Sequence, residues 1–268
     1  MSYRLIVLGG GRMGAALVEG LLRAQWCAPG ELLIVQRGED KAAALATRFP
    51  GVDVATAIEA EHVGPETGVV LCVKPDYAEG VSRLCSAVGV TRLLSVVAGL
   101  STDRLQACFN SPVAIIRSMP NTPVLVGKGV SAITGGAHCT SDDLDWAEGI
   151  LGAVGLVVRV TERQIDAVSG LSGPMPAYLY LVVEALIEAG VHQGLSREIS
   201  TKLVVASFEG SAALLAESGE RPEELRYQVT SPGGVTAAGL RMLEGRAVRA
   251  AFLEAVASAA ERSRNLAR

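Results

Sequence analysis

Two stretches of this chain carry residue types and spacings suited to chemistry. The first is Arg4-Leu5-Ile6-Val7-Leu8-Gly9-Gly10-Gly11-Arg12-Met13-Gly14-Ala15-Ala16-Leu17, in which Gly9, Gly11 and Gly14 have the G-x-G-x-x-G spacing. That spacing suits a dinucleotide. Gly9 permits a tight turn, Gly11 lets a pyrophosphate approach the backbone, and Gly14 lets helix and strand pack closely. Arg12 and Met13 open a helix whose free N–H groups and positive dipole end face the phosphates. The second stretch is Val229-Thr230-Ser231-Pro232-Gly233-Gly234-Val235-Thr236. Ser231 and Pro232 start a turn, and the glycines reach backbone conformations closed to other residues. Successive N–H groups of Gly234, Val235 and Thr236 then open a helix, which makes an anion site suited to a carboxylate. Each loop, taken alone, also fits a plain structural turn.

The elements that must position these loops follow in order. After a helix over about Gly11–Ala24, Glu31–Gln36 reads as the second strand. An acid at its end would hold the ribose 2′-hydroxyl of NAD. Gln36-Arg37 stands there instead, and Arg37 suits a 2′-phosphate, which favours NADP; the other reading is a solvated arginine. Glu39 and Asp40 follow closely and fit the cap of a helix near Lys41–Phe49 better than a contact with ribose. A short strand at Val52–Val54 and a short helix at Thr56–Glu61 lead to Gly68–Val73, an apolar central strand running into Lys74-Pro75. Val73, Lys74 and Pro75 therefore fall at the carboxyl edge of the sheet, where ligands bind. Asp76–Ser86 is the next helix, Leu93–Val97 the fifth strand, with Ala98 just past it. Val113–Arg117 ends in Ser118-Met119-Pro120-Asn121-Thr122-Pro123, a rigid polar loop in which Asn121 either pairs with a carboxamide or only makes a turn. Gly129–Thr134 and Gly155–Val160 are further strands around a helix at Ser141–Leu151.

From Glu162 the alternation stops. Ile165–Leu171, Pro176–Gly190, Arg197–Ser218, Pro222–Val229 and Val235 onward all read as helices. The fold class is α/β, with a Rossmann-like dinucleotide-binding domain over 1–161 and an all-α dimerisation and substrate-binding domain over 162–268. Ala177–Ala189 is apolar on nearly every face, so it must be buried, against a second copy of the chain or against the first domain.

Composition removes several classes. The 268 residues are 49% hydrophobic and 19% charged, those of a globular chain. A net charge of −4, no basic run and only 4% aromatic residues argue against nucleic acid. The longest unbroken apolar runs, such as Tyr178–Val183, read as too short for a bilayer, and no cleavable signal follows Met1. The five cysteines lack C-x-x-C spacing and read as reduced core thiols, with no metal site; a cytoplasmic protein is expected. His62, His138 and His192 fall outside every motif.

Taken together, the Gly9–Gly14 loop, Val73-Lys74-Pro75, Ala98-Gly99, Arg117-Ser118-Met119-Pro120-Asn121-Thr122-Pro123, Asp166–Tyr178 and Val229–Thr236 with Ala238-Gly239-Leu240 resemble the pyrroline-5-carboxylate reductase family over nearly the whole chain. The resemblance implies NADPH, with NADH as the alternative, as hydride donor to the small cyclic imine 1-pyrroline-5-carboxylate, giving L-proline. It implies that Gly9, Gly11, Arg12, Met13 and Gly14 hold the pyrophosphate, and Gln36 and Arg37 the adenosine end. Val73, Lys74, Pro75, Ala98, Met119, Pro120 and Asn121 would border the ribose and nicotinamide. Ser231, Gly234, Val235 and Thr236 would hold the substrate carboxylate, with the Thr236 hydroxyl near the ring nitrogen. The helical half would form a homodimer, extending to a decamer of dimers. Three departures stand out. Pro174-Met175 replaces the family's Ser-Gly, Val235 replaces Thr or Ala, and no Asn lies near Thr56–Ala60. The first of these leaves room for a reductase of a substituted pyrroline or a piperideine carboxylate. Further rivals are a non-catalytic NADP-binding oligomer and a deazaflavin-linked NADP reductase sharing only the first domain.

Overall fold

In the computed structural model, which describes residues 2–267, an eight-stranded sheet has the order β3-β2-β1-β4-β5-β6-β7-β8. Its strands are β1 (Leu5–Leu8), β2 (Leu32–Val35), β3 (Asp53–Ala55), β4 (Gly68–Leu71), β5 (Arg92–Ser95), β6 (Ala114–Pro120), β7 (Gly129–Gly135) and β8 (Gly155–Arg159). β1 and β4 are apolar and wholly buried because helices cover both faces of a parallel sheet. One face packs Val7, Ile34, Val70 and Leu94 against α1 (Arg12–Arg23) and α5 (Ser141–Gly152). The other packs Ile6, Leu8, Leu71 and Leu93 against α3 (Pro75–Ala87) and α4 (Thr102–Gln106). α2 (Glu39–Arg48) completes the alternating half, and the order reverses at β1, between β2 and β4. A crevice at the carboxyl ends of such strands is where this architecture binds ligands.

The chain divides into two compact units by contact: one runs to Pro174 and resumes from Ala257, the other is Met175–Val256. α6 (Glu162–Leu171) lies in the first. The second contains α7 (Met175–His192), α8 (Arg197–Ser218), α9 (Pro222–Gln228) and α10 (Val235–Gly245), and α11 (Val248–Ala267) begins there. Within it only Pro176 and Ser200 are buried, and Tyr180, Leu181 and Leu253 are among many exposed apolar side chains.

Several expectations are corrected. β6 does not stop at Arg117. β7 folds back antiparallel to it and pairs Ser118 with Ile133, Met119 with Ala132 and Pro120 with Ser131, so these three are strand and not loop. The expected helix at Thr56–Glu61 is only a 3-10 turn at Ala60–His62. α4 was not anticipated; the Ser101 hydroxyl caps it by accepting from the Arg104 N–H at 3.2 Å. The run from Val235 is broken at Arg246–Ala247, where Ala247 takes φ 55°. Counting unbroken apolar runs also understated the helices. Arg197–Ser218 and the continuous stretch Glu162–His192 each reach a mean hydropathy of 1.3 and are long and apolar enough to cross a membrane by length and composition.

Two core thiols give a test of the first unit's packing. Cys85 is fully buried and Cys27 nearly so, and burial pushes their pKa up from 9.0 to about 12 and about 11. Raised values keep both protonated at pH 8.5 in the folded state, and only unfolding returns them to the reactive thiolate. Iodoacetamide at that pH should label neither residue until urea unfolds the chain. Peptide mapping that finds either labelled in the native protein would contradict this packing.

Candidate active site

The glycine turn is built by three backbone approaches. Gly9 has φ 104°, and its N–H donates to the Val35 carbonyl at 2.9 Å. A Cβ on Gly9 would stand 2.6 Å from the Cys72 carbonyl oxygen, and one on Gly14 would stand 2.0 Å from that of Gly9. Gly11 is different: a Cβ there would meet nothing within 4 Å. Gly9 and Gly14 thus hold the turn, while Gly11 faces open space. Gly11 also stands as N-cap of α1 with no side-chain cap and no acid in the first turn, so the Arg12 and Met13 amides begin an uncapped, positive helix end.

A cavity of about 560 Å³ lies beside this turn, lined by Gly11, Gln36, Arg37, Val73, Lys74 and Tyr77 among others. Its walls come from the ends of β1, β2 and β4, at the reversal in strand order. Gln36 has a role the sequence did not suggest. Its Oε1 accepts from the Gly10 N–H at 3.1 Å and ties the end of β2 to the glycine turn. The Arg37 guanidinium lies 4.4 Å above the Tyr77 ring, a cation–π contact that fixes where its charge sits. Sequence reasoning missed Tyr77, Lys41 and Thr56, which also line the cavity. Thr56 follows β3, in the segment where no Asn was found, and its position just past a strand was the available signal.

Lys74 caps α3 and Pro75 occupies its first turn, where a missing N–H costs nothing. Pro75 and Ala98 line a separate cavity of about 400 Å³ with Asp76, Glu79 and Arg104. Met119, Pro120 and Asn121 line neither cavity. The Asn121 amide is engaged at both ends: Oδ1 accepts from the Val130 N–H at 2.8 Å, and Nδ2 donates to the Ser172 carbonyl at 3.1 Å. It is a buried bracket between β7 and the end of α6, and not the free amide expected for a carboxamide.

The second loop sits in the helical unit. Gly233 takes φ 70°, and the Gly234 N–H donates to the Ser231 carbonyl at 3.1 Å. Gly234 is therefore part of the turn, and its amide is not offered to an anion as expected. A Cβ on Gly234 would lie 2.4 Å from Ser231 Oγ and 3.2 Å from the Ser231 carbonyl oxygen, so a larger residue there would displace the Ser231 hydroxyl. Val235 and Thr236 begin α10, and among the described residues their N–H groups have no backbone acceptor outside the helix. Val235 is 92% exposed, which leaves that helix end open. Of the cofactor candidates, Gly9, Gly11, Gln36, Arg37, Val73 and Lys74 line the first cavity, Pro75 and Ala98 line the second, and Met119, Pro120 and Asn121 line neither, while Val235 and Thr236 stand at the start of α10. One cluster of possible metal ligands, Glu59, Glu61 and His62, is found among the described residues, but His62 Nδ1 already accepts from the Glu59 N–H at 3.1 Å.

Comparison with known proteins follows the same division. Residues 162–266 match the family described as pyrroline-5-carboxylate reductase dimerisation, and residues 4–99 match NADP oxidoreductase, coenzyme F420-dependent. Over 268 aligned residues the chain is 40% identical to the pyrroline-5-carboxylate reductase of Corynebacterium melassecola, covering 98% of each. The chain belongs to the pyrroline-5-carboxylate reductase family. Its C-terminal part is the dimerisation domain of that family, which accounts for an apolar helical unit with almost nothing buried. The fold of the reductase from Coxiella burnetii matches with a TM-score of 0.92 at 30% identity, covering 100% of each chain. The Plasmodium falciparum pyrroline carboxylate reductase, solved with NADP bound, matches with a TM-score of 0.83 at 30% identity, covering 98% of each.

Proposed function

We propose that this chain reduces 1-pyrroline-5-carboxylate to L-proline with NADPH as the preferred donor. The observation that carries this reading is full-length kinship to reductases of that name, with an open glycine turn and an uncapped second helix end on the same chain. When bound, the nicotinamide cofactor supplies the hydride that saturates the imine carbon. The protein's own residues bind, orient and exclude water. Gly9, Gly11 and Gly14 with the Arg12 and Met13 amides hold the pyrophosphate, and Gln36 keeps that turn closed. Arg37 meets the 2′-phosphate. Val73, Lys74, Pro75 and Ala98 border the sugar and ring, with the Met119–Asn121 edge behind them. Ser231 and Gly234 shape the second turn. The Val235 and Thr236 amides take the substrate carboxylate, and the Thr236 hydroxyl hydrogen-bonds the ring nitrogen. A cyclic imine is basic enough to arrive protonated, so no strong general acid is required.

In this reading residues 1–161 bind cofactor, residues 162–268 bind substrate, and two copies pair through the helical part. Further assembly into a decamer of dimers and a cytoplasmic location belong to the same proposal. The two long apolar helices then cover one another across the dimer and do not enter a bilayer.

Purified protein given racemic 1-pyrroline-5-carboxylate should oxidise NADPH faster than NADH at equal concentration. No turnover with either donor would overturn the reading. Turnover confined to six-membered or substituted rings would move the substrate class and make Pro174-Met175 the place to look. Arg37→Ala should raise the KM for NADPH about tenfold or more, the size of a lost charge-assisted contact, and spare NADH. Equal effects on both donors would remove Arg37 from the 2′-phosphate.

A further inference from the structure

Arg117 lies in the middle of β6 with only 4% of its side chain exposed. Its Nη1 donates to Glu162 Oε1 at 2.7 Å, and its Nη2 stands 3.8 Å from Asp166 Oδ1. Glu162 and Asp166 are four residues apart on α6, and so share one face. Asp166 Oδ1 also accepts from Ser263 Oγ on α11 at 2.9 Å. Glu162 Oε2 is buried with no hydrogen-bond partner among the described residues. One buried guanidinium therefore holds two carboxylates from α6, and through the second of them a side chain of the last helix. Glu162 and Asp166 are partly exposed, at 35% and 20%, so the guanidinium is the member whose charge most depends on its partners.

The far end of α6 is tied to the same strand. Asn121 donates to the Ser172 carbonyl, and a Cβ on Gly173 would stand 2.9 Å from Met119 Cε. Along β6, Arg117 and Asn121 are about 13 Å apart at ~3.3 Å per residue, and the ten steps from Glu162 to Ser172 span about 15 Å at ~1.5 Å per residue. The helix and the strand edge match in length, with one fastening at each end. The segments fastened here, 162–174 and 257 onward, are also those through which the chain enters and leaves the helical unit.

We propose that Arg117 is a positioning residue for the reaction. It seats α6 and the last turns of α11 on β6, and so holds Ser172 and Gly173 against Met119 and Asn121. The proposal rests on the reading above that the Met119–Asn121 edge stands behind the residues that border the sugar and ring. It touches neither substrate nor cofactor. Its effect runs through geometry, and it leaves alone the glycine turn at the ends of β1, β2 and β4.

The test compares Arg117→Met, Arg117→Lys and Asp166→Asn in the full-length protein. For Arg117→Met we expect kcat to fall about tenfold or more, the scale of a misplacement of order an ångström. The Kd for NADP should stay within twofold. Amide exchange should speed up across 162–172 and 257–265, and not in β1 or β4. Arg117→Lys keeps the charge without the fork and should fall between. Asp166→Asn added to Arg117→Met should cost little more, because the two act as one unit. Wild-type kcat and exchange in Arg117→Met would overturn the proposal, as would parallel loss of kcat and NADP affinity. If Arg117→Met does not fold, Arg117→Lys and Asp166→Asn decide by the same readouts. If the wild type does not reduce 1-pyrroline-5-carboxylate, the proposed function fails by itself, and unchanged exchange in the variants then rejects the role of Arg117 independently.

Discussion

Gly14→Ala should strongly destabilise the folded cofactor domain, whereas Gly11→Ala should leave the fold intact and weaken cofactor binding. The two glycines are three residues apart in one motif, and their surroundings are opposite. A Cβ on Gly14 would lie 2.0 Å from the Gly9 carbonyl oxygen and 3.3 Å from a Val7 methyl. The Gly9 backbone cannot step aside, since its N–H is pinned to the Val35 carbonyl. Helix α1 would have to back away from β1, at a cost of about 3 kcal/mol or more. Gly11 has φ −71° and ψ −171°, which any residue adopts, and open space over its α-carbon. Alanine there removes freedom from the unfolded chain and strains nothing. Its methyl does fill the space offered to a pyrophosphate, an overpacking of about 1–3 kcal/mol, or roughly fivefold to 150-fold in Kd. Thermal unfolding and NADPH fluorescence titration of both variants check this. A Gly14→Ala protein with the wild-type Tm would contradict the close approach. A Gly11→Ala protein that binds NADPH normally would move the pyrophosphate elsewhere.

At the second loop, Thr236→Ala and Val235→Pro should separate the two jobs assigned to the start of α10. The Thr236 hydroxyl oxygen is proposed to accept from the protonated ring nitrogen, so its loss should lower kcat by about tenfold or more, the worth of one hydrogen bond to a charged group. The amide of Val235 is proposed to meet the carboxylate, and a backbone donor can be deleted only with proline. Val235 is the first residue of the helix, the one place where proline fits, and Gly234 at φ −75° and ψ 174° has the extended backbone that precedes proline comfortably. Val235→Pro should therefore raise the KM for substrate about tenfold, the worth of one hydrogen bond to a charged group, with the helix preserved. Steady-state kinetics beside an NADPH binding assay reads both. Unchanged kcat in Thr236→Ala would take the hydroxyl out of the mechanism, and an unchanged KM in Val235→Pro would place the carboxylate elsewhere.

The parts of this protein that were legible in the sequence are those written in local spacing. The glycine turn, the apolar central strands and the helix limits at Arg197–Ser218 depend on neighbours a few residues away. What was not legible depends on partners far along the chain. Ser118, Met119 and Pro120 read as loop because nothing near them announces that β7 will return beside them. Asn121 read as either a partner for a carboxamide or a turn residue, because its actual partners are nine and 51 residues away. Arg117 read as the charged end of an apolar strand, and its burial is decided by carboxylates on α6. Ala247 carries no signal for its positive φ, which neither glycine nor asparagine advertises. In the second loop, the four-residue turn that engages the Gly234 amide was within reach of the sequence, since Ser-Pro-Gly-Gly is turn chemistry.

The near-absence of buried residues in Met175–Val256 has a thermodynamic consequence. Folding of this unit yields almost no burial within one chain, so its free energy must be drawn from encounter with a second chain. Stability then obeys mass action: the melting temperature should climb with protein concentration, and dilution should act as a denaturant. Abundance in the cell would accordingly help decide how much of the Met175–Val256 unit is folded.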